Sequence, residues 1–254
     1  VTLYNWLLSS QQAVEATSKC VEILEQMVEK GVKPNVQTYN TVIKSLTSTK
    51  DVETAWSIYQ QMRADKDVKP TIQTYNALLN VAVRARDTKI ALELWQAIRQ
   101  KIAANEGGIR PNRETFVLFV HVCDMVDDPH GALVVLYSAH RNHTTVPRGI
   151  LENCCDIFLR HDNIEGLKHI KAAMTAVQEQ ETRGRSSRTS RSLPEGLLQR
   201  MLCTAAHSAS FVFAETLYTE ITESYNHPLS NHQALMSLLL CYAKGGLLKR
   251  SFMH

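Results

Sequence analysis

A nine-residue stretch that occurs twice restricts the fold more than any other feature of this chain. Residues 32–40 read Val-Lys-Pro-Asn-Val-Gln-Thr-Tyr-Asn, and residues 68–76 read Val-Lys-Pro-Thr-Ile-Gln-Thr-Tyr-Asn. Seven of the nine positions are identical at a spacing of 36 residues. A period of this size is typical of a solenoid, in which each repeat buries its apolar face only against its neighbours. We therefore predict an array of stacked repeats rather than a domain with one central core.

Prolines continue this period along the rest of the chain. Proline lacks an amide hydrogen and disfavours helix at the residue before it, so each one marks a boundary between helices. Six of the seven prolines lie 36, 41, 36, 47 and 34 residues apart, at positions 34, 70, 111, 147, 194 and 228. We predict repeats at 1–35, 36–71, 72–112, 113–148, 149–195 and 196–229, followed by a partial repeat at 230–254.

Each repeat is predicted to form two antiparallel helices. In the second repeat, Thr38 is expected to cap a helix that runs to about Ser48, and Asp51 to cap a second helix that runs to about Ala64. Apolar residues recur three or four positions apart in both, as in amphipathic helices with one buried face. The second helices share a four-position apolar stripe, which Lys171 interrupts in the fifth repeat. It is first seen at Cys20, Ile23, Leu24 and Met27 and then at Ala55, Ile58, Tyr59 and Met62.

Two segments lengthen the period. Extra residues around 103–108 predict a longer second helix and loop in the third repeat. The fifth repeat carries a larger insertion, residues 179–192, which is rich in Arg, Ser and Thr and has no apolar side chain. This composition predicts a disordered or mobile loop unless a partner orders it.

Charge, hydropathy and cysteine spacing exclude several classes of protein. The formal charge is +3, but four arginines lie in the insertion, and without them it would be −1, so composition alone does not predict a nucleic-acid binder. No run of about 18 apolar residues predicts a membrane span. The six cysteines are scattered and none forms Cys-x-x-Cys, so we expect neither a zinc site nor a disulfide framework.

Three segments of the first repeats resemble the pentatricopeptide repeat: Gly31-Val-Lys-Pro-Asn35, Thr38-Tyr-Asn-Thr-Val-Ile43, and Ala55 followed by Ile58-Tyr-Gln-Gln-Met62. The resemblance covers nearly the whole chain and is most specific in residues 1–112. It implies an all-α fold, a right-handed α-solenoid of stacked antiparallel helical hairpins. It also implies a mitochondrial or chloroplast protein that binds single-stranded RNA, one base per repeat.

The resemblance also assigns candidate RNA-binding residues. In the family, a residue near the start of the first helix meets the base edge, assisted by the last residue of the repeat. Asparagine can both donate and accept hydrogen bonds at such an edge, and the family's pattern associates it with pyrimidines. The alternative is a helix-start residue that satisfies its own backbone. The first set is Asn5, Asn40 and Asn76, and the second is Asn35, Thr71 and Asn112.

Further candidates are a wedge between bases and a phosphate track. The family places an aliphatic wedge three residues before the base-reading position, where this chain has Thr2, Gln37, Gln73 and Glu114, then Ile150 and Leu197. Lys44, Arg84 and His121 lie further along the first helices and could contact phosphate, although a solvated helix face is an equal alternative. Later repeats depart from the family at the base-reading place, where they have Val117, Asn153, Arg200 and Ala234.

Two functions compete at this stage. The first is an organellar protein, mitochondrial or alternatively chloroplast, that binds single-stranded RNA within a larger ribonucleoprotein assembly. The second is a structural scaffold of a mitochondrial ribosome or similar complex, which holds folded rRNA and proteins without reading bases. The insertion favours the second, because Arg183, Arg185 and Arg188 could follow an RNA backbone through phosphate contacts.

An enzyme is not expected. The zinc deaminase domain found in some family members needs His-x-Glu with Cys-x-x-Cys, and neither motif occurs. The acidic residues Asp124, Asp127 and Asp128 lie at a predicted helix end and are expected to cap it. We therefore predict no catalysis, no metal or cofactor, no small-molecule substrate and no membrane association.

Overall fold

The structure is a computed structural model that describes residues 16–104, 109–182, 193–225 and 228–244. Within these residues it contains twelve α-helices and no strand, which confirms the predicted all-α fold. None of the described helices is both long enough and apolar enough to cross a membrane. The helices are α1 (Ala16–Glu29), α2 (Val36–Thr49), α3 (Val52–Ala64), α4 (Ile72–Ala85), α5 (Thr88–Ala103), α6 (Arg113–Val126), α7 (Pro129–Arg141), α8 (Arg148–Arg160), α9 (Ile164–Thr182), α10 (Glu195–His207), α11 (Phe211–Tyr225) and α12 (Pro228–Lys244).

The chain divides into two compact units, residues 1–126 and residues 127–254. In unit 1, α2 packs against its hairpin partner α3 and against α4, the first helix of the next hairpin, and α4 packs in the same way against α5 and α6. In unit 2, α8 packs against α9, and α10 packs against α11 and α12. Each unit therefore has the packing of a helical-repeat solenoid, in which a hairpin is buried by its neighbours.

The first helices of unit 1 begin with an Asn or Thr cap bonded to a Thr three residues later. Asn35 Oδ1 accepts from the Thr38 backbone N–H at 2.9 Å, and the Asn35 N–H donates to Thr38 Oγ1 at 3.2 Å. This reciprocal arrangement satisfies backbone donors that the first turn leaves free. The predicted cap at Thr38 was therefore wrong, because Asn35 caps α2 and Thr38 is its third residue. The equivalent pairs are Thr71 with Thr74 and Asn112 with Thr115.

The second helices are capped by aspartate. Asp51 Oδ1 accepts from the Thr54 N–H at 3.0 Å, and Asp128 Oδ1 accepts from the Gly131 N–H at 2.9 Å, as predicted for both aspartates. A carboxylate at this end also interacts favourably with the helix dipole. Asp127 does not cap, since it adopts a left-handed conformation and pairs with Arg160 at 3.0 Å.

The apolar stripes of the second helices are buried, as predicted, with three exceptions. Leu136 and Tyr218 are half-buried, and Lys171 forms an ion pair with Glu220 at 2.7 Å, so a charged pair replaces an apolar contact in α9. Helix α5 reaches Ala103, in line with the predicted lengthening. Helix α9 continues to Thr182, so residues 179–182 of the predicted mobile insertion are helical instead.

Candidate nucleic-acid interface

The central candidates, Asn40 and Asn76, lie at equivalent places on neighbouring helices α2 and α4. Both side chains are buried, with 7% and 1% of their surface exposed. A buried amide is costly unless its donors and acceptor find partners. The hydrogen bonds of these two residues therefore reveal whether each is structural or available to a ligand.

Asn76 is saturated by the start of the next first helix, α6. Its Nδ2 donates to Asn112 Oδ1 at 3.0 Å and, more weakly, to Glu114 Oε2 at 3.4 Å, and its Oδ1 accepts from Thr115 Oγ1 at 2.9 Å. The structure thus joins Asn76 and Asn112, the two residues that the family resemblance pairs. Sequence reasoning missed Thr115 as a partner, although a threonine recurs at this place in α2, α4 and α6.

Asn40 differs from Asn76 because its Oδ1 is buried and has no hydrogen-bond partner. The start of α4 supplies Thr71 where α6 has Asn112, and Gln73 where α6 has Glu114. Thr71 Oγ1 lies 3.4 Å from Thr74 Oγ1, so the two hydroxyls face each other. An unsatisfied buried carbonyl costs about 1–3 kcal/mol, and a ligand that donates a hydrogen bond there would recover it.

Polar and basic side chains lie beside these asparagines. Gln37, Asn40 and Lys44 occupy one face of α2, because residues three and four apart are neighbours on a helix. Gln37 and Lys44 are exposed, and so is Gln73 at the start of α4. Arg84 is exposed near the end of α4, two turns beyond Asn76. The face therefore offers amides and one or two cations, a composition suited to a base edge and a phosphate.

Buried tyrosines pack behind this face. Tyr59 of α3 donates to Tyr75 of α4 at 3.4 Å between the hydroxyl oxygens, and the two rings meet edge to face. Burial, followed by the hydrogen bond to Tyr75, raises the pKa of Tyr59 well above its usual range. Burial also raises the pKa of Tyr39, the neighbour of Asn40.

Several predicted candidates lie outside the described residues. They are Thr2 and Asn5 in the first repeat and Arg183, Arg185 and Arg188 in the insertion. Their roles stay predictions.

The first helices of unit 2 start in a different register from those of unit 1. Each hairpin turn contains a left-handed residue, such as Lys50 at φ 59° and Asp162 at φ 50°, which gives a common reference point. Pro34 precedes Lys50 by 16 residues, whereas Pro147 precedes Asp162 by 15. Pro147 itself is the N-cap of α8, and Pro194 is the N-cap of α10, without a side-chain hydrogen bond.

This register corrects the proline-based assignment of unit 2. The equivalents of Asn40 are Glu152 and Gln199, not Asn153 and Arg200. Burial supports the correction, because Leu151 and Leu198 are then buried at the place of Tyr39. The equivalents of Gln37 are likewise glycines rather than Ile150 and Leu197. They are Gly149 and Gly196, and a Cβ at either would meet nothing within 4 Å.

Arginines on α8 and α10, the first helices of unit 2 named above, are paired with carboxylates. Arg200 Nη2 lies 2.8 Å from Asp156 Oδ1, and Arg148 Nε lies 3.2 Å from Glu152 Oε1. Such exposed pairs contribute little stability, but they cancel the positive charge that a phosphate would need. At these places, α8 and α10 therefore have neither a wedge side chain nor an Asn reader, and their arginines are paired.

The family is decided by a match over the first half of the chain. A family model described as the pentatricopeptide repeat domain matches residues 1–49, 22–85 and 57–125. The chain belongs to the pentatricopeptide repeat family. The matched part includes Asn40 and Asn76, together with the hydrogen-bond partners of Asn76. A search of curated protein sequences found no significant match.

Solved structures similar to this pentatricopeptide repeat protein support the fold. The repeat domain of Arabidopsis thaliana protein-only RNase P 1, crystallised with tRNA, is 16% identical and has a TM-score of 0.59, covering 69% of this chain and 89% of that one. Maize PPR10, crystallised with an 18-nucleotide psaJ RNA element, is 23% identical with a TM-score of 0.51 over 96% of this chain. The chain spans 33% of the length of PPR10.

The described residues contain no group of three or more His, Cys, Asp or Glu side chains placed to hold a metal ion. All the elements that these residues form are α-helices.

Proposed function

We propose that this pentatricopeptide repeat protein binds single-stranded RNA through the first helices of unit 1, within a larger ribonucleoprotein assembly. The observation that carries the proposal is the buried, unpartnered Oδ1 of Asn40 on an amide-rich face beside Lys44. This oxygen can accept from a base N–H, for which uracil N3–H is suited. Membership of the family and the RNA in the two similar crystal structures support the same proposal.

Fluorescence anisotropy with short labelled RNA pools tests this function. Asn40→Ala should weaken binding to pyrimidine-rich RNA by about tenfold, since one base contact is worth about 1–3 kcal/mol. Gln60→Ala is the matched control, because Gln60 is exposed on the second helix α3. Equal affinities of the wild type, Asn40→Ala and Gln60→Ala would refute base reading at this place.

A scaffold role is the second candidate, and unit 2 favours it. Its first helices have proline caps and paired arginines in place of base-reading residues. A partner surface on folded rRNA or protein would need only shape and packing there. Co-sedimentation with mitochondrial ribosomal particles at high salt would support this role, whereas recovery only as a free protein would contradict it.

We further infer an organellar location, in the mitochondrion or alternatively the chloroplast, and no catalytic role for these residues. The family supports the location, and the uniform helical hairpins support a binding role without chemistry. Fractionation of cells that express the full-length protein with a C-terminal tag tests the location. Tagged protein found only in the cytosol would refute it.

A further inference from the structure

Glu114 is the charged exception in a series of three equivalent residues. Gln37, Gln73 and Glu114 are each the second residue of a first helix in unit 1, and all three side chains are exposed. A carboxylate in the first turn interacts favourably with the helix dipole, which gives Glu114 a modest structural role. The two glutamines show that the fold does not require a charge at this place.

The carboxylate of Glu114 lies at the base-reading place of the preceding helix. Its Oε2 is 3.4 Å from Asn76 Nδ2, and the same amide nitrogen donates to Asn112 at 3.0 Å. Because Thr115 occupies the Asn76 oxygen, a base edge could bind there only by displacing these partners. Glu114 makes no ion pair with any residue that the structure describes.

The equivalent place one repeat earlier has no such contacts among the described residues. Gln73 is neutral and no hydrogen bond joins it to Asn40 among the described side chains, while Asn40 keeps a free oxygen. A phosphodiester that passes from the Asn40 place to the Asn76 place would approach the Glu114 carboxylate. Two negative charges at close range repel each other, and this repulsion is strongest at low ionic strength.

We propose that Glu114 ends the RNA footprint of unit 1. RNA is read at Asn40, and the Glu114 carboxylate excludes the phosphate of a nucleotide from the next place. This inference rests on the proposed RNA binding, and it assigns to Glu114 a specificity role that is repulsive rather than attractive. The Asn76 place then serves folding, through its bonds to α6.

Two reciprocal variants test the proposal. Glu114→Gln installs the residue found at both earlier places, and Gln73→Glu moves the carboxylate one repeat forward, beside Asn40. On electrostatic grounds we expect Glu114→Gln to bind pyrimidine-rich RNA about threefold to tenfold more tightly at low salt, and Gln73→Glu to bind it more weakly by a similar factor. Nuclease protection should extend by about one nucleotide in Glu114→Gln, since each repeat meets one base.

Salt dependence separates electrostatic exclusion from a structural role. The affinity ratio between Glu114→Gln and the wild type should approach one as the salt rises to about 0.5 M, because screening removes the repulsion. A purely structural Glu114 would instead change the melting temperature and leave this ratio independent of salt.

Failure of this inference and failure of RNA binding give different results. If the wild type binds RNA and Asn40→Ala weakens it, but Glu114→Gln leaves affinity and protected length unchanged, the role of Glu114 is refuted and RNA reading stands. If neither the wild type nor Glu114→Gln binds any RNA pool, the proposed function is refuted as well.

Discussion

The first helices of unit 1 and those of unit 2 bury equivalent positions, but they differ in the polar residues at their starts. The residue ahead of the base-reading place is buried and bulky in both, as Tyr39 in unit 1 and Leu151 in unit 2. At the cap, unit 1 uses Asn35, Thr71 and Asn112, whereas unit 2 uses Pro147 and Pro194. The two units therefore have the same buried packing position, but only unit 1 has side-chain hydrogen bonds at the cap.

This difference teaches that the capping residue of unit 1 has two tasks. Asn112 caps α6 through the Thr115 N–H at 3.0 Å and also holds the Asn76 amide at 3.0 Å. A proline cap presets the backbone but has no side-chain acceptor for a neighbouring helix. The family's base-reading pair can thus become a structural contact between repeats, and the two roles compete for the same atoms.

Removal of a cap is expected to produce the largest contrast between the units. Asn112→Ala deletes the cap and removes the better acceptor of the buried Asn76 amide, so we expect a loss of about 2–4 kcal/mol of unfolding free energy. Pro147→Ala, the equivalent change in unit 2, should cost less than about 1 kcal/mol, because its cap makes no side-chain bond. Urea denaturation of both variants measures the difference, and similar losses would contradict the dual role of Asn112.

The sequence predicted the repeats, the hairpins and most buried stripes, because period and apolar spacing are local signals. Its failures concern hydrogen bonds between repeats and the register of helix starts. The unpartnered oxygen of Asn40 and the saturated amide of Asn76 could not be told apart, since both lie in the same Thr-Tyr-Asn triplet. Proline gave the wrong register in unit 2 because it caps the helix there and precedes the cap in unit 1.

Close packing within unit 2 gives the next largest effect. A Cβ added at Gly166 of α9 would lie 2.6 Å from the ring of Phe158 on α8, so Gly166→Ala should cost about 1–3 kcal/mol through overpacking. Gly149→Ala is the matched control, because a Cβ there meets nothing within 4 Å and alanine favours helix. Thermal unfolding should show a lower melting temperature for the first variant and an equal or higher one for the second. The opposite order would show that the close contact between Gly166 and Phe158 does not contribute to the stability of unit 2.

Basic residues of the two units should differ more modestly in RNA binding. Lys44→Ala in unit 1 should weaken RNA binding by about twofold to fivefold and lower the salt slope by about 0.7, as expected when one phosphate contact is lost. Arg200→Ala in unit 2 should change affinity less than about twofold, because Asp156 already neutralises the guanidinium. Anisotropy titrations at several salt concentrations measure both slopes. A larger effect from Arg200 would move the RNA-binding surface to unit 2.

The smallest effect concerns thiol ionisation in unit 2. Burial, with the nearby Asp156 as a lesser cause, raises the pKa of Cys155 to about 12, so the folded state keeps the proton that the unfolded state begins to lose near pH 9. The resulting stability is complete below about pH 8 and is lost as the pH rises towards 12, by less than about 1 kcal/mol between pH 7 and 9.5. Cys155→Ala should therefore show a shallower fall in unfolding free energy over this range, whatever its absolute stability. Parallel slopes for the variant and the wild type would mean that the thiol ionises as readily in the folded helix as in the unfolded chain.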